Sequence, residues 1–138
     1  MSFDALFQSG IRKYVLDVSL RENIIAEELY QYTLDHVDQS QFLSAPEQAQ
    51  FLAFLVRLMS VQKIIEVGVY TGYSSLVMAQ ALPDDGVLFA CDRNQEWLRH
   101  GEEFWQRAGV RERIRVCLGD AKESLKNLHQ KLGDASVD

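Results

Sequence analysis

The sequence is poor in the residues on which several classes of protein depend. Its 138 residues include only two cysteines, two prolines and three histidines. Two cysteines are too few for the disulfide framework of a small secreted domain. Both, Cys91 and Cys117, fall in predicted strands, so we expect buried thiols in a reducing compartment, taken as the cytoplasm. The histidines His36, His100 and His129 lack metal-ligand spacing, which argues against a metal role.

Long apolar runs and basic clusters are also missing. No stretch reaches the roughly 18 apolar residues that span a bilayer, and the N-terminus lacks the basic flank and apolar core of a signal peptide. The chain carries 20 acidic and 14 basic residues, a net charge of -6. Arg107, Arg111, Arg113 and Arg115 come closest to a basic patch, but acidic residues interleave with them. We therefore expect neither a membrane nor a nucleic-acid partner.

The chain divides into a helical segment and an alternating segment within one domain. Residues 1–60 are predicted to be helical, because their apolar residues recur at three- and four-residue spacings. Ser44 and Glu47 form a capping-box pattern with Pro46 in the first turn, which predicts a helix start there. From residue 61 the strands are apolar along most of their length, as parallel strands covered on both faces are. We expect strands near 63–68, 87–91 and 113–118, and helices near 73–82, 95–108 and 121–131.

The most informative segment is residues 63–75, which predicts a strand, a tight turn and the start of a helix. Gly68 and Gly72 bracket the turn, and the next strand ends in Asp92. This order is typical of a nucleoside-binding α/β unit. The middle glycine of a dinucleotide fingerprint is replaced by Tyr70, whose bulk argues against a pyrophosphate and so against NAD or FAD. S-adenosylmethionine carries no phosphate, and the turn remains compatible with it.

Each polar residue of this unit has a functional and a structural interpretation. Glu66 ends the first strand and can face a ligand crevice or pair with a helix; its position favours the crevice. Asp92 can accept two ribose hydroxyls or cap the helix near Asn94, and the spacing favours ribose. Ser74 can receive a carboxylate at a helix N-terminus, or cap that helix. Residues 119–121 can contact an adenine or cap a helix, and the sequence leaves both open.

Four segments, 44–52, 66–74, 90–92 and 104–110, together resemble the cation-dependent O-methyltransferases, the caffeoyl-CoA and catechol O-methyltransferase-like enzymes, and most of all their bacterial branch. The resemblance covers nearly the whole chain from about residue 11. It implies a class I S-adenosylmethionine-dependent methyltransferase fold, which is Rossmann-like α/β, with parallel strands and extra N-terminal helices. It also implies S-adenosylmethionine, a divalent cation such as magnesium and a catechol-like acceptor.

The resemblance assigns roles to individual residues. Phe42 and Asp120 depart from the methionine and proline that are common in the family. The family's metal ligands and catalytic base lie beyond Asp138, so neither a catalytic nor a metal-ligating residue is expected within this chain. Carried over onto this sequence, the resemblance implies that the cofactor contacts are Ser44 and Glu66 at the methionyl region, Gly68 and Val69 in the turn, Ser74 at the carboxylate, Asp92 at the ribose and Ala121 at the adenine.

We therefore expect a C-terminally truncated member of this family. Residues 1–60 form its N-terminal helical segment, and residues 61–138 form the first half of its Rossmann-like cofactor-binding domain. The first strand is left with a bare apolar edge, so we expect a homo-oligomer, most simply a dimer. The leading hypothesis is an S-adenosylmethionine-dependent O-methyltransferase acting on a catechol-like hydroxyl. The alternatives are a catalytically inactive cofactor-binding fragment and a nicotinamide oxidoreductase, which Tyr70 disfavours.

Overall fold

The computed structural model describes residues 10–134 and 136–138, and the helicity predicted for residues 1–9 lies outside them. Strands and helices alternate from residue 63, which confirms the predicted α/β class. No helix in the described residues is long and apolar enough to cross a membrane. The helices are α1 (Arg12–Ser19), α2 (Ile24–His36), α3 (Pro46–Leu58), α4 (Tyr73–Ala81), α5 (Gln95–Arg107) and α6 (Ala121–Leu132), and the strands are β1 (Lys63–Val67), β2 (Val87–Asp92) and β3 (Ile114–Leu118).

The described strands form one parallel sheet in the order β1–β2–β3. In the register of the first pair, Lys63 lies beside Val87. The central strand β2 is buried along almost its whole length. In contrast, β3 exposes Val116 and Leu118, because it lies at the edge of this sheet. The expectation that every strand is covered on both faces is therefore wrong for β3.

Two apolar clusters hold the sheet, one on each face. Side chains alternate between the faces of a strand, so Leu88 of β2 joins the larger cluster, whose helical part includes the fully buried Trp105 of α5. On the other face, Phe89 and Cys91 pack against Leu128 of α6. Full burial of one large apolar side chain contributes about 1.5–3 kcal/mol. Packing in the two clusters therefore fixes the positions of the strand ends and of the turns that follow them.

The start of α3 differs from the sequence pattern. The N-cap residue is Ala45, which makes no side-chain capping bond, and Pro46 occupies the first turn. Because the fixed φ of proline suits the first helical position, the helix begins at that residue and leaves Ser44 outside. Glu47 lies 3.6 Å from the Arg12 guanidinium of α1. The predicted capping box at Ser44 is therefore wrong.

The C-terminal residues lie along the edge of β1. The backbone N–H of Asp138 donates to the Lys63 carbonyl at 3.2 Å. The Asp138 carboxylate accepts from the backbone N–H groups of Gln62 at 2.8 Å and Lys63 at 3.0 Å. These two donors lower the pKa of Asp138. Residues 137–138 therefore approach the first strand on the side away from β2.

Candidate functional site

A cleft of about 450 Å³ opens at the carboxyl end of the sheet. Its walls come from the β1–α4 turn, the end of β2, the start of α5 and the β3–α6 turn, with Phe42 added from the segment before α3. Pockets for small ligands have volumes of about 300–1,000 Å³. In open α/β sheets the ligand binds at this edge. The cleft therefore has the size and the place of a small-molecule site.

The two glycines of the β1–α4 turn have different structural roles. Both are in the left-handed region, with φ of +83° at Gly68 and +77° at Gly72. A Cβ atom on Gly68 would meet nothing within 4 Å, and Gly68 lines the cleft. A Cβ atom on Gly72 would lie 2.2 Å from Cζ2 of Trp105, whose Nε1 donates to the Gly72 carbonyl at 3.0 Å. Gly68 thus keeps the cleft open, whereas Gly72 admits the buried indole.

Asp92 connects the end of β2 to the segments on either side of the cleft. One carboxylate oxygen, Oδ2, accepts from the backbone N–H groups of Val69 at 2.8 Å and Tyr70 at 3.0 Å. The other, Oδ1, accepts from the N–H of Asn94 at 2.9 Å. Burial raises the pKa of Asp92, but these backbone donors, joined by that of Arg93, outweigh burial and hold the pKa below its ordinary value. The carboxylate is therefore ionised at neutral pH and fixed in orientation.

Glu66 is fastened to the first turn of α4. The Ser74 hydroxyl donates to its Oε1 at 2.5 Å, and the Ser75 hydroxyl donates to its Oε2. Burial raises the pKa of Glu66; the two serine hydroxyls oppose the rise and the charge of Asp92 adds to it. The N-cap of α4 is Gly72, and it makes no side-chain capping bond. Ser74 therefore holds the strand carboxylate, and its interpretation as a simple N-cap is wrong.

An aromatic wall, formed by Phe42, Tyr70 and Trp97, borders the cleft. The ring of Tyr70 meets Trp97 edge to face at 5.1 Å and Phe42 at 6.0 Å. The Tyr70 hydroxyl donates to the Asp38 carbonyl at 2.6 Å, which joins the loop after α2 to the cleft. Sequence reasoning did not single out Trp97 for the site. The available signal was an aromatic residue in the first turn of the helix that follows Asp92.

The β3–α6 turn forms the remaining wall. The N–H of Gly119 donates to the Asp92 carbonyl at 2.9 Å, so this wall is joined to the end of β2. The Asp120 carboxylate accepts from the N–H groups of Lys122 at 2.9 Å and Glu123 at 3.4 Å and thereby caps α6. The helix-capping interpretation of this turn is therefore observed, and an adenine contact there stays a prediction.

The structure brings some of the sequence candidates together and leaves others apart. Gly68, Asp92 and Ala121 all line the cleft. Val69 is buried and reaches the site through its N–H bond to Asp92. Of the remaining candidates, the lining of the cleft does not include Ser44, Glu66 or Ser74.

Metal-ligating side chains do not gather in the described residues. Across 10–134 and 136–138, no group of three or more His, Cys, Asp or Glu side chains is placed to hold a metal ion. Structural and catalytic cation sites need such a donor set. The divalent cation that the resemblance implies therefore does not fit this part of the chain.

Comparison with known proteins identifies relatives along most of the chain. A family model described as O-methyltransferase matches residues 16–138. Caffeoyl-CoA O-methyltransferase 2 of Petunia hybrida is 40% identical over 120 residues, which are 86% of this chain and 47% of that protein. Tapetum-specific methyltransferase 1 of Arabidopsis thaliana is 32% identical over 126 residues, 89% of this chain and 54% of that protein.

Solved structures of other proteins also match the fold of this chain. The crystal structure of the O-methyltransferase from Bacillus cereus in complex with SAH superposes with a TM-score of 0.79 at 25% identity. The match covers 88% of this chain and 55% of that one. The chain therefore spans about half the length of the relatives it matches.

Proposed function

Because the chain belongs to the O-methyltransferase family, we propose that its cleft binds S-adenosylmethionine and that the chain supplies the cofactor-binding half of a methyltransferase. The observation that carries this proposal is Asp92, an ionised carboxylate at the end of β2 that three backbone N–H groups hold in the cleft beside Gly68. A fixed carboxylate suits the two hydroxyls of a ribose, because charge-assisted hydrogen bonds are the stronger kind. The relative from Bacillus cereus solved with SAH supports it.

The other residues of the turn suit the amino-acid end of the cofactor. Gly68 leaves room for close approach of a ligand to the backbone, and Val69 lies behind it. The N-terminus of α4 has no side-chain cap, so its backbone N–H groups, that of Ser74 among them, can donate to the cofactor carboxylate. Glu66, which the hydroxyls of Ser74 and Ser75 hold beside that turn, would contact the methionyl region there. Ser44 would contact the same methionyl region.

The far end of the cleft suits the base of the nucleoside. Ala121 offers a small side chain where an adenine would lie, and the aromatic wall with Tyr70 and Trp97 borders the same cleft. When bound, the cofactor supplies a methyl group on a positively charged sulfur. Asp92 and Ala121 would hold the nucleoside, and the cofactor would donate this methyl group to the acceptor oxygen.

The finer parts of the proposal concern the acceptor and the assembly. The acceptor is a catechol-like hydroxyl compound, supported by the caffeoyl-CoA O-methyltransferase relatives. Residues 1–60 act as a helical segment beside the cofactor-binding half, residues 61–138. A homodimer is supported by the apolar side chains that α3 exposes, Phe51, Phe54 and Leu58. Two free thiols support a cytoplasmic location.

The binding proposal is tested by calorimetric titration with S-adenosylhomocysteine and, separately, with NAD. We expect binding of the first and none of the second, because Tyr70 stands where a pyrophosphate would need a glycine. Asp92→Asn should weaken the binding by about ten- to hundredfold, the equivalent of one charged hydrogen bond. Asp120→Asn is the matched control at the same cleft, since asparagine also caps helices well. Equal losses in both variants would contradict a ribose role for Asp92.

A second candidate function is a cofactor-binding fragment without catalysis. It is favoured by one observation, the missing metal donor set in the described residues. A methyl-transfer assay with a catechol acceptor and magnesium separates the two candidates. Turnover supports the transferase, and binding of S-adenosylhomocysteine without turnover supports the fragment.

A further inference from the structure

The two cysteines of the chain face each other across neighbouring strands. Cys91 of β2 and Cys117 of β3 are register partners in the parallel ladder. Their side chains share the sheet face that packs against α6, in the cluster of Phe89 and Leu128. Neighbouring strands lie about 4.8 Å apart, within the ~4.4–6.8 Å over which disulfides join Cα atoms.

The two cysteines are unbridged neighbours across the ladder. Burial and, after it, the neighbouring Cys117 thiol raise the pKa of Cys91. Cys91 is fully buried, whereas Cys117 is half-buried. Of the two cysteines, Cys117 is thus the one that a small solute can reach.

We propose that Cys91 and Cys117 are a redox modification site, which a peroxide closes to an intramolecular disulfide between β2 and β3. The Cys117 thiol gives up its proton, and the thiolate attacks one peroxide oxygen; the O–O bond breaks, and the leaving hydroxide takes up that proton, so that a sulfenic acid and one water form. The Cys91 sulfur then attacks the Cys117 sulfur, the S–O bond breaks, and the departing hydroxide takes the Cys91 proton as a second water. Two thiols lose two electrons, and one peroxide is reduced to two waters.

The difference in burial between the two cysteines determines which sulfur attacks first. Burial, followed by the nearby Cys117, raises the pKa of Cys91 to about 11, so little of that thiol is thiolate at neutral pH. A nucleophile for peroxide must be a thiolate within reach of solvent, which leaves the first step to Cys117. Closure of the disulfide then competes well with further oxidation of Cys117, because the second cysteine is its register partner on the neighbouring strand.

The bridge should be easy to reduce. Strand spacing of about 4.8 Å is shorter than the ~5.5–6 Å that separates the Cα atoms of most disulfides, so closure would strain the ladder. Strained disulfides have higher reduction potentials and are the labile ones. The residue after Cys91 is Asp92, whose carbonyl accepts from Gly119 at 2.9 Å. The bridge would therefore form directly below the floor of the cleft.

The test treats the full chain with hydrogen peroxide and measures intact mass and a non-reducing peptide map. The chain has only two cysteines, so an intramolecular disulfide can join no other pair. We expect the monomer to lose the mass of two hydrogen atoms, the map to link the peptides of Cys91 and Cys117, and dithiothreitol to reverse both changes. Gain of oxygen atoms alone, or disulfide-linked dimers in place of the internal bridge, would overturn the proposal.

Two variants sharpen the assignment. Cys117→Ser should keep its remaining thiol reduced under the same treatment, because Cys91 is buried. Cys91→Ala should collect a sulfenic acid at Cys117, which dimedone traps as a stable adduct. Dimedone labelling of Cys91 in the wild type in place of Cys117 would reverse the order of attack and contradict the mechanism. If the Cys91 variant does not fold, the wild-type peptide map decides alone, and neither readout depends on cofactor binding.

Discussion

Alanine at the two turn glycines should separate backbone strain from collision with a buried ring. Gly68 and Gly72 share a left-handed backbone, with φ of +83° and +77°. A side chain in that region costs about 1–2 kcal/mol at either position. Alanine also restricts the unfolded chain, which offsets about 0.4–1 kcal/mol at both. These two contributions are common to the pair and cancel when the variants are compared.

The difference comes from the space around each Cβ atom. At Gly68 the new atom meets nothing within 4 Å, whereas at Gly72 it lies 2.2 Å from Cζ2 of Trp105. The indole is fully buried and bonded to the Gly72 carbonyl, so it cannot turn away at low cost. Forcing an extra methyl into such a core costs about 1–3 kcal/mol. We expect Gly68→Ala to lower the free energy of unfolding by about 1 kcal/mol. Gly72→Ala should lower it by about 1–3 kcal/mol more than Gly68→Ala does.

Both decreases in the free energy of unfolding are measured by urea unfolding of the cofactor-free chain, with tryptophan fluorescence as the signal. The double variant of Gly72→Ala with Trp105→Phe provides the control, and Trp97 remains as the fluorophore. A smaller ring should relieve the collision, so the two substitutions should couple favourably by about 0.5–3 kcal/mol. Equal losses at Gly68 and Gly72, or additive effects in the double variant, would refute the reasoning.

Two further predictions concern Glu66 and Tyr70. The folded-state pKa of Glu66 is raised above the ordinary 4.5, so its contribution to stability is complete below that pH and is lost as pH rises through the folded pKa. The free energy of unfolding of Glu66→Gln, relative to wild type, should therefore rise as the pH increases above 4.5; a constant difference would contradict this. Tyr70→Phe removes the bond to the Asp38 carbonyl and should lower stability by about 1 kcal/mol, measured by thermal unfolding. An unchanged midpoint would mean that the bond is not formed in solution.

The strands, and the cleft at their ends, could be predicted from the sequence because their signals are local. Apolar runs that end in glycine or a carboxylate mark β1 and β2 within one or two residues. Because parallel strands bring their carboxyl ends to one edge, Gly68 and Asp92 were expected to meet, and both line the cleft. The residues that carry this prediction lie in local patterns, so it does not depend on how segments remote in the sequence pack together.

Side-chain partners across segments could not be predicted in the same way. The sequence offered Glu66 a ligand crevice or an ion pair, and it did not indicate the hydroxyls of Ser74 and Ser75 that the structure places on this carboxylate. That choice depends on how α4 sits over the end of β1, which no local pattern encodes. The place of Phe42 beside Trp97 depends likewise on the path of the loop after α2.

The three backbone bonds of Asp92 have a consequence for redesigning the specificity of this fold. The Asp92 carboxylate, which we propose binds the ribose, also holds the β1–α4 turn through Val69 and Tyr70. It holds the segment before α5 through Asn94. Exchanging it to accept another nucleoside would therefore deform the pocket that the new ligand is meant to enter. Altered preference is better sought at Ala121, whose side chain borders the same space without anchoring the loop.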